Sequence, residues 1–399
     1  MTQYRTLDGG DFAGKRVLVR VDLNVPMANG SVTDDTRIRA VLPTISDLTA
    51  LGAKVILLSH LGRPGGTPKQ ELSLATVAHD LSKALDAPVA FATDCVGPEA
   101  ADVIASMADG DIALLENTRF HRGEEANDTF LTAELAALGD VYVNDAFATA
   151  HRAHASTAGL ANHLTAYAGR CMEAELKALD QALANPERPL ISVVGGAKIS
   201  SKLALLSNLA AKADTIIIGG AMANTFLAAD GIAVGASLHE PDLLDTARQV
   251  RADAAAKDCE IILPVDVTVA GKFEANAPHR TIKLSEITDG EMIVDIGPDT
   301  ITMLKTKIDA TRTIVWNGPF GAFELEPFDA GTNAIARHVA AATKSGKLVS
   351  IAGGGDTVAA LNRAGVSGDF TYVSTAGGAF LEWLEGKTLP GVDVLIEKR

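Results

Sequence analysis

Cysteine is scarce in this 399-residue chain, and Cys95, Cys171 and Cys259 lie far apart. Their number is odd and their spacing fits no metal motif. That argues against a disulfide-stapled scaffold and for a reducing cytoplasm. Aromatic residues reach only 5% against 47% hydrophobic residues, so the cores must be built from Ala, Val, Ile and Leu, as in an α/β protein. Positive charge is short as well: 35 Lys and Arg face 50 Asp and Glu, a net charge of −15. Such a chain offers no broad basic face to nucleic acid. No apolar run is long enough to span a bilayer. The amino terminus carries Asp8 and Asp11 without an apolar stretch, so no signal peptide is expected. Two nucleotide motifs are missing too. Gly353-Gly354-Gly355-Asp356-Thr357 continues with Val358, which breaks a dinucleotide fingerprint, and Gly386-Lys387-Thr388 has Leu381 where a P-loop needs its first Gly.

What is present is a set of strands with chemically similar ends. In Lys15–Pro26, Val17, Val19 and Val21 alternate with Leu18 and Arg20, which predicts a strand. It ends in Asp22 and Asn24 before Pro26. The apolar run from Lys54 ends in His60 and Arg63, that from Ile112 leads to Arg119, and that from Val141 leads to His151, Arg152 and His154. Arg37, downstream of the first strand, joins them. In open α/β sheets ligands bind outside the carboxyl ends of the strands. Guanidinium forks and imidazoles there suit carboxylate and phosphate oxygens. In an acidic chain, such a local cationic cluster points to a small anionic ligand.

The second half repeats the pattern with glycines. Leu190–Gly196 runs into Lys198 and Lys202, which at i, i+4 share one face of a helix predicted over Ile199–Ala211. Cations there oppose the helix dipole, a local cost that a bound polyphosphate would offset. Lys347–Thr357 reads as a second phosphate loop, with a helix starting near Thr357. Other helical patterns cover Leu74–Leu85, Thr129–Leu138 and Thr332–Thr343. Their alternation with strands predicts parallel sheets covered by helices. The boundary is expected near Ala168–Glu173, where 171–183 reads as one amphipathic helix, giving domains of 1–169 and 170–384.

Block by block, the chain resembles the phosphoglycerate kinase family. The first half carries KRVLVRVDLNVP (15–26), SHLGRP (59–64), LENTRF (115–120) and DAFATAHRAHAST (145–157). The second carries VVGGAKISSKLALL (193–206), IIGGAMANTFL (217–227), LPVD (263–266), DIGPDT (295–300), WNGPFGAFE (316–324), AGGGDT (352–357) and STAGGAFLEWLEGKTLPG (374–391). The resemblance implies two Rossmann-like doubly wound domains facing across a hinged cleft, with a tail of about 385–399 packing back on the first. It implies reversible phosphoryl transfer from 1,3-bisphosphoglycerate to Mg-ADP, giving 3-phosphoglycerate and ATP, by a cytoplasmic monomer without nucleic-acid or membrane partners.

The same resemblance implies the site. Phosphoglycerate would meet Asp22, Leu23, Asn24, Arg37, His60, Leu61, Gly62, Arg63, Arg119 and Arg152. Nucleotide would meet Gly196, Lys198, Lys202, Gly220, Asn317, Gly353, Gly354, Gly355 and Thr357. Leu238, Val294 and Ala322 would line an adenine slot, Glu324 would take the ribose, and Asp356 would hold Mg²⁺. Arg37 and Lys202 are the expected catalytic pair. The chain departs from the family at Ala148, Ala221 and Ala376, usually Gly, and at Ser201, commonly Asp; none of these is a charged site residue. A kinase of another acyl phosphate and a non-catalytic nucleotide-binding scaffold are the alternatives.

Overall fold

Residues 16–20 form β1 (Arg16–Arg20), buried on both sides. Val17 and Val19 pack into one core with Ile38, Val41, Ile45 and Leu48 of the helix Thr36–Ala50 and with Val77 and Leu81 of the helix Ala75–Leu85. The structure, a computed structural model, describes residues 4–396; the end of the expected tail, 397–399, lies outside the described residues. After β1 come β2 (Met27–Ala28), β3 (Ser31–Val32), β4 (Lys54–Leu58), β5 (Val89–Ala92), β6 (Ile112–Leu115), β7 (Val141–Asn144) and β8 (Ala166–Ala168). Six of them make a parallel sheet in the order β5-β6-β4-β1-β7-β8. From β1 the chain winds to one side through β4, β5 and β6, then crosses to the other for β7 and β8. The reversal leaves a crevice between the carboxyl ends of β1 and β7.

The second series is β9 (Leu190–Val194), β10 (Thr215–Ile218), β11 (Glu260–Ile262), β12 (Asp266–Ala270), β13 (His279–Lys283), β14 (Met292–Ile296), β15 (Thr313–Asn317), β16 (Val349–Gly353) and β17 (Tyr372–Ser374). Six of these form another parallel sheet, β11-β10-β9-β15-β16-β17, whose order reverses between β9 and β15. Ile191 and Val193 share a core with Ile314, Trp316 and the apolar faces of the helices Pro298–Asp309 and Ala330–Lys344. The doubly wound α/β class expected from the sequence is therefore present twice.

By contacts the chain divides into two units, Met1–Leu176 with Thr388–Arg399, and Lys177–Lys387. The division falls inside the helix Arg170–Leu179. In the first unit the short helix Pro390–Asp393 lies against the end of β7: Asn144 Nδ2 donates to Gly391 O at 3.0 Å, and Gly391 N to Ala150 O at 2.8 Å.

The parallel-sheet expectation missed two elements. An antiparallel sheet, β13-β12-β14, occupies the middle of the second unit. It is covered on both faces: Val267, Val269 and Ile282 are buried on one and Ala270 and Val294 on the other, while His279, Arg280 and Thr281 of β13 are exposed. The β2–β3 hairpin turns at Asn29-Gly30, both at positive φ, the pair that two-residue hairpins favour.

Buried aspartates tie strands to helices. Asp145, after β7, accepts from Cys171 N and Met172 N in the first turn of Arg170–Leu179. Asp266 accepts from Asp299 N and Thr300 N. Asp295 accepts from Ile296 N at 2.8 Å and Gly331 N at 2.7 Å. A Cβ on Gly169, Gly297 or Gly331 would collide with the respective carboxylate, so these glycines make room for the caps. Burial pushes Asp295 up to about 7. A carboxylate raised in the folded state favours folding most below its unfolded value, near 4, and loses that contribution as pH rises to about 7. Relative to Asp295→Asn, the wild type should therefore lose stability between pH 4 and pH 7 and hold level above, as urea unfolding at several pH values would reveal.

Candidate functional site

The loops that leave β1 and β4 are laced together before any ligand is considered. Asp22 Oδ1 accepts from Asn24 N at 3.1 Å, Asn24 Oδ1 accepts from Gly62 N at 2.8 Å, and Ser59 Oγ accepts from Leu23 N at 2.9 Å. Gly62 sits at φ +64°, and a Cβ there would meet Leu72. Arg37 reaches back from its helix to Asp22 at 2.8 and 3.0 Å and to Asn24 O at 3.1 Å. All three bonds leave from Nη1, so Nε and Nη2 stay open among the described residues. Arg119 is almost wholly buried, donates to Gly62 O at 2.9 Å and approaches Glu125 at 3.2 Å. Arg152 Nε donates to His151 Nε2 at 3.2 Å. Arg63 is exposed, with no hydrogen-bond or ion-pair partner among the described residues.

Behind this edge stands Arg20, a residue that strand periodicity marked only as facing away from the valines. It is fully buried and donates to Ser156 Oγ at 2.8 Å and to His60 Nδ1 at 3.0 Å. Ser156 in turn donates from Oγ and N to the buried Glu124 at 2.5 and 3.0 Å, so the two buried charges are joined through one hydroxyl. A guanidinium can only donate. His60 Nδ1 is therefore the acceptor and Nε2 carries the proton. Burial, then the adjacent Arg20, Arg119 and Arg37, hold His60 well below the usual imidazole range. Burial likewise takes His154 down to about 4, although Glu124 works against it. Around neutral pH both rings are uncharged, so the fixed positive charge comes from arginines. Arg20, Arg119 and Arg37 thus bear on His60, and Arg119, Arg20 and Arg152 on His154. Asp145, at a strand end in the same way as Asp22, is taken up as a helix cap.

In the second unit a cavity of about 300 Å³ opens where the order of the sheet reverses. Gly196, Lys198, Ser201 and Lys202 line it from β9, Asn317 and Gly318 from β15, and Gly354, Gly355, Asp356 and Thr357 from β16. Lys202 Nζ donates to Asn317 Oδ1 at 2.6 Å, and Asn317 Nδ2 to Gly353 O at 2.7 Å. Thr357 is buried and ties two loops by accepting from Gly318 N at 2.7 Å. Burial lowers the Lys202 ammonium, with Glu385 and Asp356 opposing.

The two lysines do not share a helical face, contrary to their i, i+4 spacing. The helix runs over Leu203–Ala210, and Lys202 only caps it. Ser201 Oγ donates to Lys198 O at 2.9 Å and Lys202 N to Ile199 O at 2.9 Å, a local side-chain and turn pattern that competes with helix. The phosphate-loop helix starts earlier than expected, at Gly355. Asp356 therefore lies in its first turn and is not the cap. Its carboxylate makes no hydrogen bond or ion pair among the described residues, although its charge reaches Lys202. The three glycines also differ. A Cβ on Gly353 would strike the Phe380 ring, Gly354 has φ +98°, and only Gly355 has open space beside it. Gly220 lies outside the lining and backs onto Gly196, whose carbonyl accepts from Met222 N at 2.9 Å.

Leu238, Val294, Ala322 and Glu324 also stand outside this lining. Val294 and Ala322 are core residues joined by a 2.8 Å backbone bond, whereas Leu238 is 57% exposed. Glu324 is exposed, and its carboxylate has no partner among the described residues.

Fold and site together define a doubly wound α/β protein with an arginine-rich edge on one sheet and a glycine-lined, lysine-bearing pocket on the other. The sequence model of phosphoglycerate kinase matches residues 7–387. A phosphoglycerate kinase of Azorhizobium caulinodans is 61% identical over 99% of this chain and 100% of its own, and one of Agrobacterium fabrum is 60% identical over 99% of each. The solved phosphoglycerate kinase of Coxiella burnetii superposes with a TM-score of 0.92 at 45% identity, and that of Pyrococcus horikoshii with 0.81 at 33%, each covering 98% of both chains. This chain belongs to the phosphoglycerate kinase family, and its activity is that of a phosphotransferase. No helix among the described residues is long and apolar enough to cross a membrane.

Proposed function

We propose that the chain transfers the acyl phosphate of 1,3-bisphosphoglycerate to Mg-ADP, reversibly, with phosphoglycerate on the first unit and nucleotide on the second. The carrying observation is the contrast between the two sheet edges. One offers guanidinium forks and a neutral, pre-oriented imidazole; the other offers a glycine-lined pocket with two lysines and a free carboxylate. Phosphoryl transfer needs little covalent help; alignment, charge neutralisation and exclusion of water suffice. Arg63, Arg119 and Arg152 hold the 3-phosphate end of the three-carbon substrate, away from the carboxyl group that exchanges the phosphoryl group. His60 donates from Nε2, because Arg20 occupies Nδ1.

Arg37, braced by Asp22 and Asn24, directs its open Nε and Nη2 at the oxygens whose charge changes during transfer. Lys202 meets the travelling group from the nucleotide side, exchanging its bond with Asn317 for one to phosphate. Lys198 and the Gly354 and Gly355 amides hold the nucleotide phosphates, with Glu324 on the ribose and Leu238, Val294 and Ala322 near the base. Because the substrates belong to different units, transfer requires hinge closure. The pocket suits Mg²⁺: Asp356 supplies a hard oxygen donor that no hydrogen bond or ion pair engages among the described residues. Asp356 would hold the ion together with phosphate oxygens, and the ion supplies neutralisation of phosphate charge. Three free cysteines favour a reducing cytoplasm, and we take the chain to act as a monomer.

A coupled assay with 3-phosphoglycerate and Mg-ATP tests this reading. Turnover should be present in the wild type. Asp356→Asn should lower it by at least roughly tenfold to a hundredfold, as weakened metal ligation does, and should raise the Mg²⁺ requirement. The unliganded melting temperature should hardly move, because the carboxylate makes no internal bond. Full activity with acetyl phosphate and none with 1,3-bisphosphoglycerate would replace the substrate assignment.

A further inference from the structure

A second group of reactive side chains lies at the same edge of the first sheet but outside the proposed phosphoglycerate contacts. Asp94 and Cys95 occupy the bend after β5, and His121 follows the turn Thr118–Phe120 after the neighbouring strand β6. One ligand atom from each residue falls within 4.8 Å of the other two. His121 Nε2 is 2.6 Å from Asp94 Oδ1. Cys95 is fully buried, and its thiol makes no hydrogen bond among the described residues, whereas the Cys171 thiol donates to Ala40 O at 2.8 Å. The negative charges of Asp94, Glu124 and Glu116 all bear on that thiol. No Lys or Arg pairs with Asp94 among the described residues.

We propose that Asp94, Cys95 and His121 form a binding site for a thiophilic divalent cation, with Zn²⁺ the best match. A sulfur, an imidazole nitrogen and a carboxylate oxygen are the donors Zn²⁺ takes, and three protein ligands leave a fourth position for water. Mg²⁺ prefers an all-oxygen shell and would not select this set. On binding, the thiol releases its proton to solvent, and the metal replaces the direct His121–Asp94 bond. The site would pin the turn that carries Arg119 to the end of β5. Sequence spacing hides it, since the ligands come from two strand ends rather than one short motif.

Cobalt is the probe. The full chain, free of nucleotide and magnesium, should take up one equivalent of Co²⁺ with a thiolate-to-cobalt absorption band and tetrahedral visible bands, and Zn²⁺ should displace both. Cys95→Ser should abolish the thiolate band, while Cys171→Ser and Cys259→Ser keep it. Because Cys95 is buried, the half-exposed His121 provides an independent variant: His121→Gln should weaken Co²⁺ binding at least about tenfold. No thiolate band in the wild type, or a band and affinity untouched by His121→Gln, would overturn the proposal.

Discussion

Arg37→Ala is expected to lower kcat by about 10²–10³, the usual effect of removing a donor aimed at transition-state charge, and to leave the dissociation constant of 3-phosphoglycerate nearly unchanged. The geometry separates Arg37 from the other arginines. Its Nη1 is committed to Asp22 and Asn24, which fixes where Nε and Nη2 point. A side chain anchored in this way meets developing charge without further reorganisation. On the proposed assignment Arg63, Arg119 and Arg152 would meet the 3-phosphate, whose charge is the same before and during transfer, so their loss should mainly raise KM. Arg39, two residues away, is the control: it is exposed and engaged with Asp35 at 2.7 Å, and Arg39→Ala should leave kinetics unaltered. If Arg37→Ala weakens substrate binding and spares kcat, Arg37 is an ordinary clamp.

Lys202→Ala should be comparably severe, about 10²–10³ in kcat, with nucleotide binding little affected. Lys202 is drawn into the pocket by Asn317 and is partly shielded from water, which lowers its ammonium and leaves it less hydrated for a phosphoryl group. Lys198 lines the same pocket but makes no ion pair among the described residues. Lys198→Ala should weaken nucleotide binding more than it slows transfer. Equal kcat losses for the two lysines would remove the distinction drawn between them.

The strand ends were legible because parallel strands obey a simple rule: apolar runs with polar residues just beyond them. That rule located Asp22, His60, Arg119 and the glycine loops. The same polar signal stands at Asn144-Asp145, where it marks a helix cap, because a carboxylate serves either job. Arg20 was hidden by its position inside the alternation. A charge in the last position of a strand buried on both faces needs a partner, and that requirement was the available clue to Glu124 and to the His60 tautomer. The Lys198–Lys202 spacing misled because Ser201 and the turn around Ile199 satisfy the backbone locally. Asn29-Gly30 carries the sequence signal of the β2–β3 hairpin. The antiparallel sheet β13-β12-β14 was not expected from the alternation of strands and helices elsewhere.

The division of labour between the two sheets is the central claim, and hydrogen exchange of the full chain with each substrate added alone tests it most directly. 3-Phosphoglycerate should slow exchange around 20–24, 59–63, 117–120 and 151–154, and Mg-ADP should slow it around 195–203 and 353–358, each leaving the other set unchanged. Protection of the first set by Mg-ADP alone, or of the glycine loops by 3-phosphoglycerate alone, would contradict it.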